Sequence, residues 1–391
     1  MKDGFCSAPW NTIYISPNGR IDNCCISQNM LGNIEHDDIQ HVISGTKHQK
    51  IKENILKEGI LPDGCLPCKN NAKVTTLKDH FNNDLFKHVP ERFYENTSEF
   101  QLRFLDLRWR NTCNFACVYC GPELSSSWMK ELNILQPIDN GRIDRLKKFV
   151  EPRLNEIEMI YLAGGEPLLV KDNEWLLEKV LDVNPKCTIQ VNTNFSHINN
   201  RIYDLLMKFE NVAWILSLES MGSAFEYTRT GSKWTQMHDN LLNLKEKLFS
   251  NFGKNHHQIS TQMVYCSLSV FRIVDCARYM NEKFYVPWGL LNMTYVWGGS
   301  GKGWLDPRNL PKSVLIKAKD LLKYEIDANS SNNLKKEFNE KLIELLNILE
   351  TPLDPGNSCS EDEFYKQLTE SDRRTNLDSK KIFPELYETY I

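Results

Sequence analysis

Three cysteines, Cys113, Cys117 and Cys120, stand within the run Asn111-Thr-Cys-Asn-Phe-Ala-Cys-Val-Tyr-Cys120. This C-x3-C-x2-C spacing gathers three thiols on one short loop, and thiolates are the usual ligands of iron–sulfur clusters. A cubane offers four irons, so three cysteines leave one iron open, which a catalytic site needs and a structural site avoids. The competing readings are a zinc knuckle or three unrelated buried cysteines. Zinc asks for a fourth Cys or His nearby, and none lies close in the sequence.

Further residues extend the pattern. Tyr161-Leu-Ala-Gly164-Gly165-Glu166-Pro167 offers two glycines that let backbone approach a ligand, and a carboxylate suited to a ligand ammonium. Taken alone it is also an ordinary strand-to-helix turn. Asn192-Thr-Asn194 and Ser217-Leu-Glu219-Ser220 put polar side chains at the ends of two expected strands, where loop caps are the plain alternative. Arg229, in Tyr227-Thr-Arg-Thr-Gly231, presents a planar fork suited to a carboxylate, or makes a surface salt bridge. Five more cysteines, Cys6, Cys24, Cys25, Cys65 and Cys68, lie near the start, and a zinc ribbon would use similar pairs. Cys187, Cys266, Cys276 and Cys359 are scattered and read as small buried hydrophobes.

The elements that must position these residues follow from periodicity. Two short strands, 11–16 and 21–25, flank Pro17-Asn18-Gly19-Arg20 and form a hairpin that brings Cys24 back toward Cys6. Cys25 should then point to the opposite face of its strand. From Gln101 onward, strands at 101–108, 157–163, 187–192, 212–218, 258–265 and 289–296 alternate with helices near 123–135, 172–182, 198–208, 234–249 and 270–282. This alternation predicts an α/β fold with a parallel sheet or partial barrel, whose sites gather at the carboxyl ends of the strands. Residues 310–350 predict one or two amphipathic helices, and 358–391 a polar helical tail. The expected organisation is a small cysteine-rich α+β module over 1–75, a connecting helix and linker over 76–100, the barrel over 101–305 and a helical extension over 306–391.

Composition narrows the classes. The chain has 391 residues, 41% hydrophobic and 25% charged, with a formal net charge of −4, so no global basic field recruits nucleic acid. No apolar run approaches the roughly 20 residues that span a bilayer, and the start lacks the apolar stretch of a signal peptide. A cytoplasmic setting is expected, in which clustered cysteines read as metal or redox ligands and not as disulfides.

Taken together, the triplet, the G-G-E-P run and the strand-end residues resemble the radical S-adenosylmethionine (SAM) superfamily, with Tyr119 as its aromatic residue before the last cysteine. The Cys6, Cys24, Cys65 and Cys68 set resembles a twitch, or half-SPASM, auxiliary-cluster module placed before the barrel. The resemblance implies a partial (β/α)6 TIM-like barrel and a 4Fe-4S cluster on Cys113, Cys117 and Cys120, whose open iron chelates SAM. It implies reductive cleavage to a 5′-deoxyadenosyl radical that takes hydrogen from a substrate. It places Gly164, Gly165 and Glu166 at the SAM amino group, Asn192, Asn194, Ser217 and Glu219 at the ribose, and Arg229 at the carboxylate. Many relatives carry Asp where this chain has Glu219. Cys6, Cys24, Cys65 and Cys68 would hold a second 4Fe-4S cluster.

The expected substrate is a peptide or protein side chain, with a small-molecule dehydrogenation or rearrangement as the enzymatic rival. An iron–sulfur or zinc redox-sensing protein is the non-enzymatic one. A one-electron reductant such as flavodoxin or ferredoxin is implied, no membrane partner is expected, and the acidic charge weighs against RNA. Tyr265 and Cys266 are candidate partners of a substrate radical by position. Ser125-Ser-Ser-Trp128, Asp372-Arg-Arg-Thr375 and Phe383-Pro-Glu-Leu386 resemble outer features of twitch-containing relatives. The glycine-rich run 297–304 fails the P-loop pattern, His256-His257 reads as a solvated strand start, Lys69 to Lys78 as a solvated helix face, and the sequon at Asn96 as idle.

Overall fold

The computed structural model describes residues 6–58, 63–65, 99–136, 139, 141–250, 256–296, 303–353 and 355–388. Cys68, the expected connecting helix, Lys69 to Lys78, the sequon and most of the glycine-rich run lie outside the described residues.

One sheet organises the chain. Its strands are β1 (Thr12–Ile15), β2 (Arg20–Asp22), β3 (Gly32–Asn33), β4 (Phe104–Leu107), β5 (Met159–Leu162), β6 (Thr188–Thr193), β7 (Asn211–Ser217), β8 (His256–Tyr265) and β9 (Leu291–Tyr295). They lie in the order β3-β2-β1-β4-β5-β6-β7-β8-β9. From β4 to β9 every pairing is parallel, with helices between strands, giving the six-stranded partial barrel. The expected hairpin forms between β1 and β2, turning at Gly19. It is not a layer apart: β1 pairs in parallel with β4, so the N-terminal segment widens the barrel's own sheet. Among the described residues the sheet stays open, ending at β3 on one side and β9 on the other.

Side-chain alternation gives the sheet two different faces. Leu105, Leu107, Ile160, Leu162, Ile189, Val191, Trp214 and Leu216 are buried and belong to the main core. The opposite face is polar. In register across five strands it carries Tyr14, Asp106, Tyr161, Gln190 and Ala213, and further along Asn192 and Ser217. A separate small core of Trp10, Ile51 and Ile55 supports the N-terminal segment.

Several helices differ from expectation. The first after the cysteine loop is only Ser126–Glu131, begun by the Ser125 cap and followed at Asn133 by left-handed backbone (φ 54°). Helices at Arg142–Val150 and Gly222–Thr228 were not expected; in the former, Ile143, Leu146, Phe149 and Val150 form a buried stripe interrupted by basic residues. The extension folds as Lys312–Asn329, Lys336–Glu350, Glu361–Thr375 and Ser379–Ile382. His257 is not solvated: its Nε2 pairs with the Phe209 carbonyl at 2.9 Å, and burial lowers its pKa. Cys187, Cys266 and Cys276 are buried as expected, whereas Cys359 is only partly so. Tyr265 and Cys266 are both fully buried in the core. No helix among the described residues is long and apolar enough to cross a membrane.

Candidate active site

The cysteine loop leaves the carboxyl end of β4 and is braced from several directions. Ala116 N–H donates to Thr230 O at 2.9 Å, and Val118 N–H to Thr228 O at 2.9 Å, which ties it to the Arg229 segment. Ser126 and Ser127 hydroxyls donate to the Cys113 carbonyl at 3.0 and 2.8 Å, and Trp128 Nε1 donates to the Cys117 carbonyl at 2.8 Å. The C-terminal extension closes over the loop: the Arg374 guanidinium donates to the Ala116 carbonyl, lies 4.1 Å from the Trp128 ring centroid, and pairs with Glu131 at 2.8 Å. Asp372 accepts from the Tyr227 hydroxyl at 2.8 Å and so holds the helix before Arg229. Reading the sequence gave these outer motifs no role. Their signal was present in the serine run and the paired arginines.

The three thiols converge enough to feel one another. Burial, with a smaller contribution from the charge of Cys120, pushes Cys113 up to about 12 and Cys117 higher still. Such a set ionises only around a cationic group, because a bound metal deprotonates its thiol ligands outright. Among the described residues, no group of three or more His, Cys, Asp and Glu side chains is arranged to hold a single metal ion. A cubane, whose ligands surround a larger body, fits the chemistry of this donor set.

The G-G-E-P loop lies directly against this one. Gly165 has φ 61°, and a Cβ there would stand 2.2 Å from Thr112 O; at Gly164, φ 77°, it would stand 2.6 Å from Arg108 Cβ. Only glycine permits that approach with that backbone. Glu166 is fully buried, and its carboxylate accepts from Thr193 Oγ1 at 2.6 Å, Asn194 N at 2.6 Å and Leu168 N at 3.0 Å. It therefore locks the end of β6 to the end of β5; burial raises its pKa to about 7 against the pull of those donors.

Glu219 and Arg229 form a buried ion pair at 2.6 Å, not a surface one. Glu219 also accepts from Tyr119 OH at 3.2 Å and Thr228 Oγ1 at 3.1 Å, while the Arg229 guanidinium lies 5.4 Å from the Tyr119 ring centroid. Arg229 Nε is buried with no hydrogen-bond partner. Asn192 donates to Tyr161 OH at 3.1 Å and accepts from Ser217 Oγ at 2.9 Å, both on the polar face. Asn194 Nδ2 donates to Asn114 Oδ1 at 3.0 Å, inside the cysteine loop.

Around the N-terminal cysteines, Cys6 and Cys65 pack against the small core, and the Cys24 thiol lies within the electrostatic reach of both. Asn29 Nδ2 donates to Cys65 Sγ at 3.5 Å. Cys25 turns the other way, toward Asp106 and Arg108.

Comparison with known proteins adds the following. The Radical SAM superfamily matches residues 109–257, and an Iron-sulfur cluster-binding domain, SPASM, matches residues 6–69. A GTP 3′,8-cyclase of Aliarcobacter butzleri (strain RM4018) is 31% identical over 105 residues, 26% of this chain and 31% of that protein. One from Sulfurimonas denitrificans (strain ATCC 33889 / DSM 1251) is 33% identical over 92 residues, 23% of this chain and 27% of that protein. The chain thus spans about a third of the length of the curated relatives it matches. Among solved structures, Streptococcus suis SuiB bound to S-adenosylmethionine is 15% identical, covers 75% of this chain and 61% of that one, and has a TM-score of 0.40. Native anSMEcpe with bound AdoMet is 17% identical, with 59% and 62% covered and a TM-score of 0.41.

Proposed function

The chain belongs to the radical SAM superfamily, and from that premise we propose that it takes a hydrogen atom from the side chain of a peptide or protein. When bound, a reduced 4Fe-4S cluster on Cys113, Cys117 and Cys120 supplies the electron that divides SAM into methionine and a 5′-deoxyadenosyl radical. The protein's own part is placement. Gly164 and Gly165 keep backbone close to the cysteine loop, where the SAM amino group would lie. Glu166 fixes the strand ends that carry Asn192 and Asn194. Glu219 holds the Arg229 guanidinium in place, leaving its buried Nε for the SAM carboxylate. Cys6, Cys24, Cys65 and Cys68 would hold an auxiliary cluster on the sheet's N-terminal edge, and a flavodoxin or ferredoxin would deliver the electron.

The observation that carries this reading is the meeting of the cysteine loop, the G-G-E-P loop and the Glu219–Arg229 pair at the carboxyl ends of β4 to β7. Among the described residues the sheet is open, and an unclosed edge at which side chains of a peptide can enter supports a large substrate. The stretch shared with GTP 3′,8-cyclases favours a small-molecule rearrangement as the second reading.

Anaerobically reconstituted protein with dithionite and SAM should form 5′-deoxyadenosine, and a fully loaded protein that forms none would refute the activity. Cell extract split by a small-pore filter then decides the substrate. Stimulation by the retained peptide fraction supports the first reading, and stimulation by the filtrate alone supports the second.

A further inference from the structure

Beneath the cysteine loop, the polar face of the sheet leaves donors unanswered. Gln190 is only 5% exposed, and its Nε2 is buried with no hydrogen-bond partner. It stands beside Tyr161 in register, which stands beside Asp106, which stands beside Tyr14. The β1–β4 pairing continues past the strand ends, with Arg108 N–H donating to Ile15 O at 3.0 Å, so Arg108 follows Asp106 on the same face.

The Arg108 guanidinium lies 5.0 Å from the Tyr14 ring centroid and 6.0 Å from that of Tyr161. It reaches Asp106 through Nε at 3.2 Å and Nη2 at 3.4 Å, both long, and Nη1 makes no hydrogen bond among the described residues. Arg20 of β2 approaches the same Tyr14 ring at 5.4 Å; its Nη2 donates to Ser27 O at 3.2 Å, and its Nε is buried without a partner.

The acceptors on this face are committed: Asp22 to the Asn23 and Met30 amides, Asp106 to Arg108 and the Cys25 thiol, Tyr161 OH and Asn192 Oδ1 to their neighbours. What remains is N–H groups, and buried donors are normally answered by something. Arg20 and Arg108 are balanced in charge by Asp106 and by Asp22, which faces Tyr14 in register, so the pull on a ligand comes from the unanswered donors and not from a net charge. A fork with a free nitrogen and a spare amide donor suits an acceptor-rich anion. Arg108 also touches the Gly164 position, so the patch adjoins the G-G-E-P loop.

We propose that Arg108, Arg20 and Gln190 form an anion-anchoring subsite of the barrel, taking a carboxylate or phosphate group of the substrate between the Tyr14 and Tyr161 rings. The subsite rests on the catalytic reading for its purpose, since an anchored group there would hold the rest of the substrate near the cysteine loop. It also joins the two cysteine-bearing regions, because Tyr14 and Arg20 come from the hairpin and the others from the barrel.

The test uses reconstituted full-length holoprotein, titrated calorimetrically with inorganic phosphate and separately with succinate, while SAM cleavage is followed on the same preparation. At least one anion should bind, and Arg108→Gln and Gln190→Leu should each weaken it by about ten- to a hundredfold. The stronger-binding anion identifies the source chemistry. Should Arg108→Gln fail to fold, Gln190→Leu decides, since it removes a donor that has no partner in the protein. If neither anion binds, or if correctly folded variants bind as the parent does, the subsite is overturned, whatever SAM cleavage shows. If anion binding behaves as stated and SAM is never cleaved, the catalytic reading fails and the subsite stands.

Discussion

The two cysteine groups are built by different means. The triplet loop borrows its rigidity from distant parts of the chain: the Thr228–Thr230 segment, the Ser126–Trp128 turn, the G-G-E-P loop and Arg374, more than 250 residues away. The N-terminal group is tied to the barrel through β1, but the described elements that carry its thiols are small. Cys24 follows a three-residue strand, Cys65 ends a three-residue turn, and a three-residue core sits behind them. Bracing from many segments preorganises a centre that must keep one geometry through chemistry. A group carried on such small elements leans more on its ligand for order, as small metal-bearing modules do.

That contrast predicts that substitutions separate the groups. The largest expected effect is Cys117→Ala, which removes a ligand from the braced loop. It should abolish 5′-deoxyadenosine formation and lower bound iron from roughly eight to roughly four per chain. Cys24→Ala should give a similar iron loss while SAM cleavage persists. Equal loss of cleavage in both variants would break the distinction. Next comes Gly165→Ala, where the added methyl meets Thr112 O at 2.2 Å on a backbone with φ 61°. Strain of that kind costs about 1–3 kcal/mol or displaces the loop. A lowered melting temperature with poor loading of the triplet cluster, and normal loading of the other, is the expected outcome.

Much of this was legible in the sequence, and unevenly so. The six barrel strands and the three-cysteine loop stood out because periodicity and ligand spacing are local properties. The union of β1 with β4 could not be read, since nothing in Thr12–Ile15 names its partner; the pairing depends on which sheet edge is left open. Asp106 and Arg108 were passed over for a similar reason. In Leu105-Asp106-Leu107-Arg108 the alternation was visible, but a charged residue on a buried strand gains meaning only once the facing Tyr14 and Tyr161 are placed. Glu166, Glu219 and Arg229 were all picked out from the sequence, while the Glu166–Thr193 and Glu219–Arg229 pairings required the strand ends to be brought together. The expected strand 21–25 stops at Asp22, so Cys24 and Cys25 are separated by the turn that follows it and not by strand alternation, Cys24 lying near Cys6 and Cys65 and Cys25 near Asp106.

Arg374 sharpens the contrast at smaller cost. It is the extension's direct hold on the triplet loop, through the Ala116 carbonyl and the Trp128 ring. Arg374→Gln should remove a charge-assisted hydrogen bond and a cation–π contact, together about 2–3 kcal/mol. The loss should appear as slower cluster reconstitution and faster oxidative loss of the triplet cluster, read by its absorbance, with the auxiliary cluster unaffected. Arg374→Lys, which keeps charge but loses the fork, should recover only part. Unchanged cluster lifetimes in Arg374→Gln would mean that the extension merely covers the loop.

The effect with the least bearing on activity near neutral pH is confined to the N-terminal region and depends on pH. His48 is fully buried in the helix Thr46–Glu53, with Nδ1 on the Ile43 carbonyl at 2.6 Å. Burial, with a lesser push from the nearby Lys52 ammonium, lowers its pKa to about 4 from an ordinary 6.5. The folded form therefore keeps the ring neutral while the unfolded form takes a proton, so stability is fully present above about pH 6.5 and falls as pH drops toward 4. The full swing is on the order of 3 kcal/mol. Hydrogen exchange of the amides in 46–53, corrected for intrinsic rates and compared between pH 7 and 4.5, should show protection lost there and retained in β5 and β6. His48→Phe should flatten that pH dependence. Equal loss in both regions would show that the hairpin welded to β4 makes the two cysteine groups unfold as one.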